Sequence, residues 1–310
     1  MYTAHFGLRE VPFSITPDTS YFFSFPSYQA ALNTLLIATN NGEGFIKITG
    51  EVGTGKTLLC RKFMAMLSDS FVTAYIPNPL LEPRTLMLAL ADELACAQDR
   101  LGDQHQLIKA INHRLLDLAG QGKRVVLCID EAQALPLETL EALRLLSNLE
   151  TEKRKLLQIV LFGQPELDRK LARRDTRQLA QRISFHYRLT HLSAQEIQVY
   201  VAHRLQVAGY AAPTSSPLAP VPPLFTRAAL AVLRLSSGGV PRMVNVLAHK
   251  ALMLSFGEGR QQVVAMHVVL AARDTLAVQR FGLWHPGAAA LTAAVLLVSG
   301  LATAAWLVSK

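Results

Sequence analysis

One eight-residue stretch combines glycines, a lysine and a threonine in a spacing that suits phosphate binding. It fits the pattern GxxxxGK[ST], follows an apolar run typical of a strand and precedes a helical pattern. In that context backbone N–H groups surround the phosphates, the lysine reaches the β- and γ-phosphates, and the threonine hydroxyl binds Mg²⁺. The sequence therefore predicts a nucleotide-binding loop made of Gly50, Glu51, Val52, Gly53, Thr54, Gly55, Lys56 and Thr57.

A second candidate group is the acidic pair Asp130 and Glu131, which follows the apolar run 125–129. A strand over this run places Asp130 at its tip, where the carboxylate can join Thr57 in holding Mg²⁺. Glu131 then lies beside the γ-phosphate as the base that orients water. The alternative is a pair of acids that caps the following helix, and the phosphate-binding loop favours the catalytic interpretation.

The distance in sequence between the loop and the acidic pair indicates the order of the strands. A strand and two helices separate them, which favours the ring-forming branch of the phosphate-loop ATPases, where a third strand lies between the two. In that branch the strand after the acidic strand carries a polar residue that senses the γ-phosphate. This strand is expected near 156–162, and Gln164 follows it. Gln164 is a candidate γ-phosphate sensor, and a simple Gln-Pro turn is the alternative.

Arginines supply the remaining candidates. Arg182, with Arg177 as its rival, precedes the last expected strand, where such an arginine reaches the γ-phosphate of a neighbouring subunit. Arg242 follows Pro241 at an expected helix start, so its charge can point toward the nucleotide; the alternative is an ordinary surface arginine. Residues 169–204 hold eight basic and only two acidic side chains, which suits either a solvated face or contact with phosphates.

The elements that must position these residues alternate along the chain. Apolar, β-rich runs separated by helical periods predict an α/β fold with a parallel sheet covered by helices on both faces, followed by a small helical domain. Strands are expected near 45–49, 71–76, 124–129, 156–162 and 183–189. Helices are expected from about 56 and near 83–97, 104–120, 137–149, 166–173, 226–235, 241–256 and 263–278.

The C-terminal region predicts a membrane attachment. Half of the residues are hydrophobic and only 17% are charged, and residues 288–308 contain no charge over a helical length of about 31 Å. Trp284 and Trp306 flank this run, and Arg273 and Arg280 precede it, which favours a single-pass inner-membrane anchor with the preceding domains in the cytoplasm. A buried core helix is the alternative.

Together these residues resemble the AAA+ ATPases, and within them the ExeA/GspA-like secretion family. The resemblance covers about residues 5–280, with a still closer likeness to ATPases of MSHA-type pilus biogenesis around residues 42–47 and 74–79. It implies ATP and Mg²⁺ as cofactors, a ring of identical subunits, and protein partners in a pilus or secretion assembly. The segments that carry it are 6–18, 49–57, 130–133, 162–167 and 238–242.

The resulting hypothesis is a membrane-tethered AAA+ ATPase that assembles or remodels a type IV pilus or type II secretion-like complex. A DNA-acting AAA+ ATPase and a nucleotide-gated scaffold with little turnover stay open as alternatives, although the apolar tail argues against nucleic acid as the partner. The expected domains are an AAA+ ATPase domain at 1–208, a Pro-rich linker at 209–224, a helical lid at 225–280 and a transmembrane helix at 287–309.

Overall fold

The computed structural model describes residues 2–16, 18–77, 80–96, 103–150, 155–210 and 223–275. These residues belong to two compact units. One is the sheet unit, residues 16–191, and the other is the helical unit, made of residues 2–15 together with the chain from residue 192 onward. The domain boundary expected at residue 208 lies inside the helical unit, and the domain limits drawn from the sequence stay a prediction.

The sheet unit is built on five parallel strands. Each expected strand is confirmed within one residue at either end. The strands are β1 (Phe45–Thr49), β2 (Phe71–Ile76), β3 (Arg124–Ile129), β4 (Leu157–Gly163) and β5 (Ile183–Arg188).

The helices of both units follow in chain order. They are α1 (Tyr2–His5), α2 (Pro26–Asn40), α3 (Lys56–Met66), α4 (Pro83–Glu93), α5 (Gln104–Gly120), α6 (Leu137–Leu146), α7 (Glu166–Leu171), α8 (Arg177–Ala180), α9 (Ala194–Val207), α10 (Arg227–Ser237), α11 (Pro241–Gly257) and α12 (Ala265–Arg273).

The strand order, β2-β3-β4-β1-β5, confirms that a third strand lies between the loop strand and the acidic strand. Thr49 at the end of β1 pairs with Gly163 at the end of β4, and Ile129 at the end of β3 pairs with Leu161. The carboxyl ends of these three strands therefore meet at one edge of the sheet. The phosphate-binding loop, the acidic pair and Gln164 all begin at this carboxyl edge.

The core of the sheet unit lies on both faces of β3 and β4. On one face, Leu127 and Ile159 belong to an apolar cluster that also contains Leu90 of α4 and Ile111 of α5. The residues that alternate with them, such as Val160, are also fully buried, and α3 contacts β4. Strands buried on both faces are typical of a parallel sheet between helical layers. The predicted α/β architecture is thus confirmed for the sheet.

The helical unit combines α9 to α12 with the first residues of the chain. The side chain of Arg204 in α9 is buried, and its Nε donates to the carbonyl oxygen of Pro12 at 2.5 Å. The backbone N–H of Arg9 donates to the carbonyl of Ala208 at 2.8 Å. The segment 2–15 is therefore held by the helices that follow residue 192.

Two predicted features fall outside the described residues. They are residues 211–222, which make up most of the expected Pro-rich linker, and the expected transmembrane helix 287–309. Within the described part of the chain, no helix is both long enough and apolar enough to span a bilayer.

Candidate nucleotide site

The phosphate-binding loop connects β1 to α3 and depends on glycine at two points. Gly53 and Gly55 have φ values of +81° and +86°, a left-handed conformation that side chains disfavour. A Cβ at Gly55 would also lie 2.6 Å from the hydroxyl oxygen of buried Tyr28. The side chains of Glu51 and Val52 are exposed. The glycines thus let the loop backbone turn into the first turn of α3.

Lys56 is the first residue of α3, and its side chain folds back over the loop. It is only 4% exposed, and its Nζ donates to the carbonyl oxygens of Gly50 at 2.8 Å and Glu51 at 3.0 Å. Burial lowers the pKa of the Lys56 ammonium, and the negative charges of Glu131 and Asp130 oppose this shift in part. The loop therefore holds a poorly solvated cation where phosphates would bind.

Asp130 at the end of β3 meets Thr57 in α3. The Thr57 hydroxyl donates to Asp130 Oδ2 at 2.5 Å, and the backbone N–H of Glu131 donates to Oδ1 at 3.0 Å. Asp130 is 2% exposed, and this burial raises its pKa in spite of both hydrogen bonds. The hydroxyl and the buried carboxylate are hard oxygen ligands, the kind that Mg²⁺ prefers. In phosphate sites Mg²⁺ needs only one or two such ligands from the protein, because phosphates and water supply the others. The pair therefore fits a Mg²⁺ ion.

Glu131 adopts an unusual backbone conformation, with φ +51° and ψ +36°. Its carboxylate oxygen Oε2 accepts hydrogen bonds from Gln133 Nε2 at 2.6 Å and from Gln164 Nε2 at 3.0 Å. The structure thus brings Gln164 to the acid it was expected to accompany. Gln133 was missed as a functional candidate, because the sequence marks it only as part of the segment 130–133.

Arg182 lies at the opposite edge of the sheet. It directly precedes Ile183, which pairs with Phe45 at the start of β1, so it sits at the amino edge of the sheet, away from the loop. Its Nη1 donates to Ser147 Oγ at 2.7 Å and to the Arg144 carbonyl at 3.5 Å. Arg182 therefore cannot belong to the cluster around the loop of its own chain.

The other two predicted arginines are exposed. Arg177 opens the short helix α8 near the amino edge, and Arg242 is the second residue of α11 in the helical unit. Pro241 is the first residue of α11, as the sequence predicted. The functions of Arg177, Arg182 and Arg242 stay predictions.

Comparisons with known proteins identify relatives of this chain. Residues 39–171, which include the loop, the acidic pair and Gln164, match the AAA domain family. The chain is 42% identical over 299 residues to General secretion pathway protein A of Aeromonas hydrophila, a match that covers 96% of this chain. It spans about half, 53%, of the length of that curated relative.

Solved structures with a similar fold include two proteins at low sequence identity. Cdc6p from Pyrobaculum aerophilum matches with a TM-score of 0.64 and 18% identity, covering 84% of this chain and 71% of that one. The RuvB Holliday junction branch migration motor of Thermotoga maritima matches at 0.54 and 15%, covering 85% and 73%. With its phosphate loop, its Thr57–Asp130 pair and 42% identity over 96% of its length, the chain belongs to the AAA family of P-loop ATPases that includes General secretion pathway protein A.

Proposed function

We propose that the sheet unit binds ATP with Mg²⁺ and hydrolyses it at the carboxyl edge of the sheet. The observation that carries the proposal is the 2.5 Å hydrogen bond between Thr57 and Asp130 beside the buried ammonium of Lys56. This hydrogen bond joins the last residue of the loop to the carboxylate at the end of the acidic strand β3. No other described part of the molecule combines a phosphate-binding loop with a buried carboxylate.

Binding is assigned to the loop and the two residues that follow it. In this proposal Lys56 exchanges the carbonyl oxygens of Gly50 and Glu51 for the β- and γ-phosphate oxygens of ATP. The N-terminus of α3 adds partial positive charge. Thr57 and Asp130 hold the Mg²⁺ ion, whose charge neutralises the phosphate oxygens when it is bound. The remaining loop residues, Gly50 to Gly55, surround the phosphates with backbone N–H groups.

Hydrolysis is assigned to Glu131 and Gln164. Glu131 orients a water molecule and accepts a proton from it as the water oxygen bonds to the γ-phosphorus. The bond from the γ-phosphorus to the bridging oxygen breaks, which leaves ADP and inorganic phosphate. Gln164 is proposed to sense the γ-phosphate, and its support is the 3.0 Å hydrogen bond from its carboxamide to Glu131.

Turnover is assigned to an oligomer, as a ring of identical subunits. Arg182 at the amino edge would act on the γ-phosphate of the neighbouring subunit, since its own loop lies at the opposite edge. Arg242 at the start of α11 is the second candidate for stabilising transferred charge. Both assignments rest on chain position and local geometry.

The process served by hydrolysis is proposed to be assembly or remodelling of a type II secretion-like complex or an MSHA-like type IV pilus. Its support is the 42% identity to General secretion pathway protein A and the sequence resemblance to pilus ATPases. In this proposal residues 287–309 anchor the protein in the inner membrane, with the ATPase domain in the cytoplasm and other envelope proteins as partners.

A DNA-acting role is the second candidate, because α7, α8 and the turn between them expose several arginines. Arg169 is 78% exposed and Arg173 is 58% exposed, and each has only a long ion pair, at 3.8 and 3.6 Å. Salt-dependent binding of duplex DNA by the full chain would favour this role.

The hydrolytic proposal is tested by comparing the full chain with its Glu131→Gln variant. Loss of a general base costs about 10²–10⁴-fold in turnover, whereas the affinity for ATP should stay near the wild-type value. Steady-state phosphate release and titration with a fluorescent ATP analogue measure the two quantities. Wild-type turnover in Glu131→Gln would show that Glu131 is not the base.

The envelope role is tested in cells that carry a deletion of the gene. Complementation by the wild-type gene should restore secretion or surface pili, and complementation by Lys56→Ala should not, at equal protein level. Restoration by Lys56→Ala would separate the envelope role from nucleotide binding.

A further inference from the structure

The side chain of Gln133 binds both members of the proposed hydrolytic pair, Glu131 and Gln164. Its Nε2 donates to Glu131 Oε2 at 2.6 Å, and its Oε1 accepts from the backbone N–H of Gln164 at 2.9 Å. The carboxamide therefore uses its donor on the acid and its acceptor on the backbone of the sensor. Replacing either atom would break one of the two contacts.

The backbone around Gln133 explains how a residue two positions after Glu131 can reach back to it. Glu131 has a positive φ of +51°, and residues Ala132–Ala134 form one turn of 3-10 helix. The end of this turn is held by Lys170 of α7, whose Nζ donates to the Leu135 carbonyl at 2.8 Å. A left-handed conformation is unfavourable at a residue other than glycine and persists where the surroundings fix it.

The two amide donors on Glu131 bind the same carboxylate oxygen. Gln133 and Gln164 both donate to Oε2, at 2.6 and 3.0 Å. The role of accepting a proton from water then falls to Oε1, in a direction that the two amides fix. Without these two hydrogen bonds the Glu131 side chain could adopt several rotamers. The hydrogen bonds hold its carboxylate in one orientation.

We propose that Gln133 is a positioning residue, which fixes the carboxylate of Glu131 and the backbone of Gln164 relative to each other for hydrolysis. The inference rests on the proposed role of Glu131 as the base. It assigns Gln133 no contact with ATP. Gln133 is therefore expected to affect the turnover rate but not the affinity for ATP.

The test uses Gln133→Met in the full chain, because methionine has a similar volume and length but carries neither amide group. We expect kcat to fall roughly 10–100-fold, as for loss of a hydrogen bond to a charged group. The dissociation constant for ATP should change by less than about threefold. Gln106→Met, at an exposed position in α5, is the matched control and should behave as wild type.

A second arm places Gln133→Met in the Glu131→Gln background and measures single-turnover rates over long incubations. If Gln133 acts through Glu131, the added substitution should change the residual rate by less than about twofold, because strongly coupled residues are not additive. An equal fractional loss in both backgrounds would overturn the proposal. So would wild-type kcat in Gln133→Met, or a parallel loss of ATP affinity.

Two controls keep the outcome unambiguous. Thermal unfolding is measured for every variant, and Gln133→Leu replaces Gln133→Met if the latter does not fold. If the wild-type chain hydrolyses no ATP, or if Glu131→Gln keeps the wild-type rate, the proposed function fails. If both behave as expected and Gln133→Met keeps wild-type kcat, only the inference about Gln133 fails.

Discussion

The two edges of the parallel sheet hold their functional side chains in different ways. At the carboxyl edge, Asp130 and Glu131 each accept hydrogen bonds from groups of the same chain, and Asp130 is 2% exposed. At the amino edge, Arg182 is half-buried and binds neutral oxygens, those of Ser147 and of the Arg144 carbonyl, where α6 ends.

The two edges differ in the free energy that a side chain loses when it is separated from its hydrogen-bond partners. A buried carboxylate without partners costs several kcal/mol, so the carboxyl-edge groups must stay together. A cation at a helix C-terminus gains typically 0.3–1 kcal/mol from the helix dipole, and water can replace its neutral acceptors. In the proposed mechanism the carboxyl edge therefore acts within one subunit, whereas Arg182 would exchange its contacts for a phosphate on another subunit.

The largest expected effect is that of Arg182→Ala on turnover. If the two edges work together across a subunit boundary, turnover should fall by about 10³–10⁵-fold, the range measured for arginines that act in this way. Affinity for ATP should stay near wild type. Phosphate release and ATP titration on the same oligomer measure the two values.

Mixed oligomers sharpen this test. Combining Arg182→Ala with Glu131→Gln subunits should restore part of the activity, because some interfaces then contain both intact groups. No recovery at any ratio, in oligomers shown to exchange subunits, would contradict action across the boundary. Arg177→Ala is the control, and a larger loss in it than in Arg182→Ala would transfer the role to Arg177.

A smaller effect is expected from Lys56→Ala on the affinity for ATP. Each hydrogen bond to a charged group contributes about 1.5–3 kcal/mol, so the dissociation constant should rise at least about 10-fold. Isothermal titration with ATP and Mg²⁺ measures it. An unchanged dissociation constant would place the nucleotide somewhere other than the carboxyl edge.

Gly55→Ala tests whether the backbone geometry of the loop contributes to ATP binding in addition to the charge of Lys56. Both Gly55 and Gly42 have positive φ, +86° and +81°, so alanine should cost about 1–2 kcal/mol at either position. Only at Gly55 would the added Cβ meet another side chain, at 2.6 Å from the Tyr28 hydroxyl. Gly55→Ala should therefore lower both stability and ATP affinity, whereas Gly42→Ala should lower stability alone. Equal effects on affinity would contradict a special role for the loop backbone.

The smallest expected effect is that Lys56→Met stabilises the protein in the absence of nucleotide. Because burial lowers the pKa of Lys56, folding disfavours its charged form, and this penalty is fully present at pH values below the lowered pKa. Lys56→Met should raise the unfolding midpoint by about 2–4 °C if the relief is about 1 kcal/mol.

The pH dependence of that gain has a definite sign. As the pH rises through the lowered pKa of Lys56 toward its ordinary value, the wild-type lysine loses its proton in the folded state and the penalty disappears. The difference between Lys56→Met and wild type should therefore shrink in alkaline buffer, as followed by thermal unfolding. A difference that grows with pH would contradict the pKa shift.

The sequence was most informative where the physical constraint is local. Strands β1, β3 and β4 were predicted within a residue because strands buried along almost their whole length are short, apolar and β-branched. Strands β2 and β5 are only partly buried, yet their limits were also predicted within a residue. The phosphate-binding loop was predicted from glycines that its backbone requires. The last helix was expected from residue 263, but it begins at Ala265 because Val263 pairs in a bridge with Phe225.

Other features were missed although some had a sequence signal. Helix α9 begins with the capping box of Ser193 and Glu196, and α2 begins with Pro26. Gln133 carried no such signal. Its role depends on the left-handed conformation of Glu131 and on the approach of β4, and neither is encoded in a short pattern.

The path of the chain between the two units has a consequence for folding during synthesis. Residues 2–15 are made before the sheet unit, yet they belong to the same unit as the chain from residue 192 onward, and the carbonyl of Pro12 accepts a hydrogen bond from Arg204. The sheet unit, a continuous segment, can fold as soon as it leaves the ribosome. The helical unit must close a loop of nearly 200 residues, so its formation should be the later and slower event.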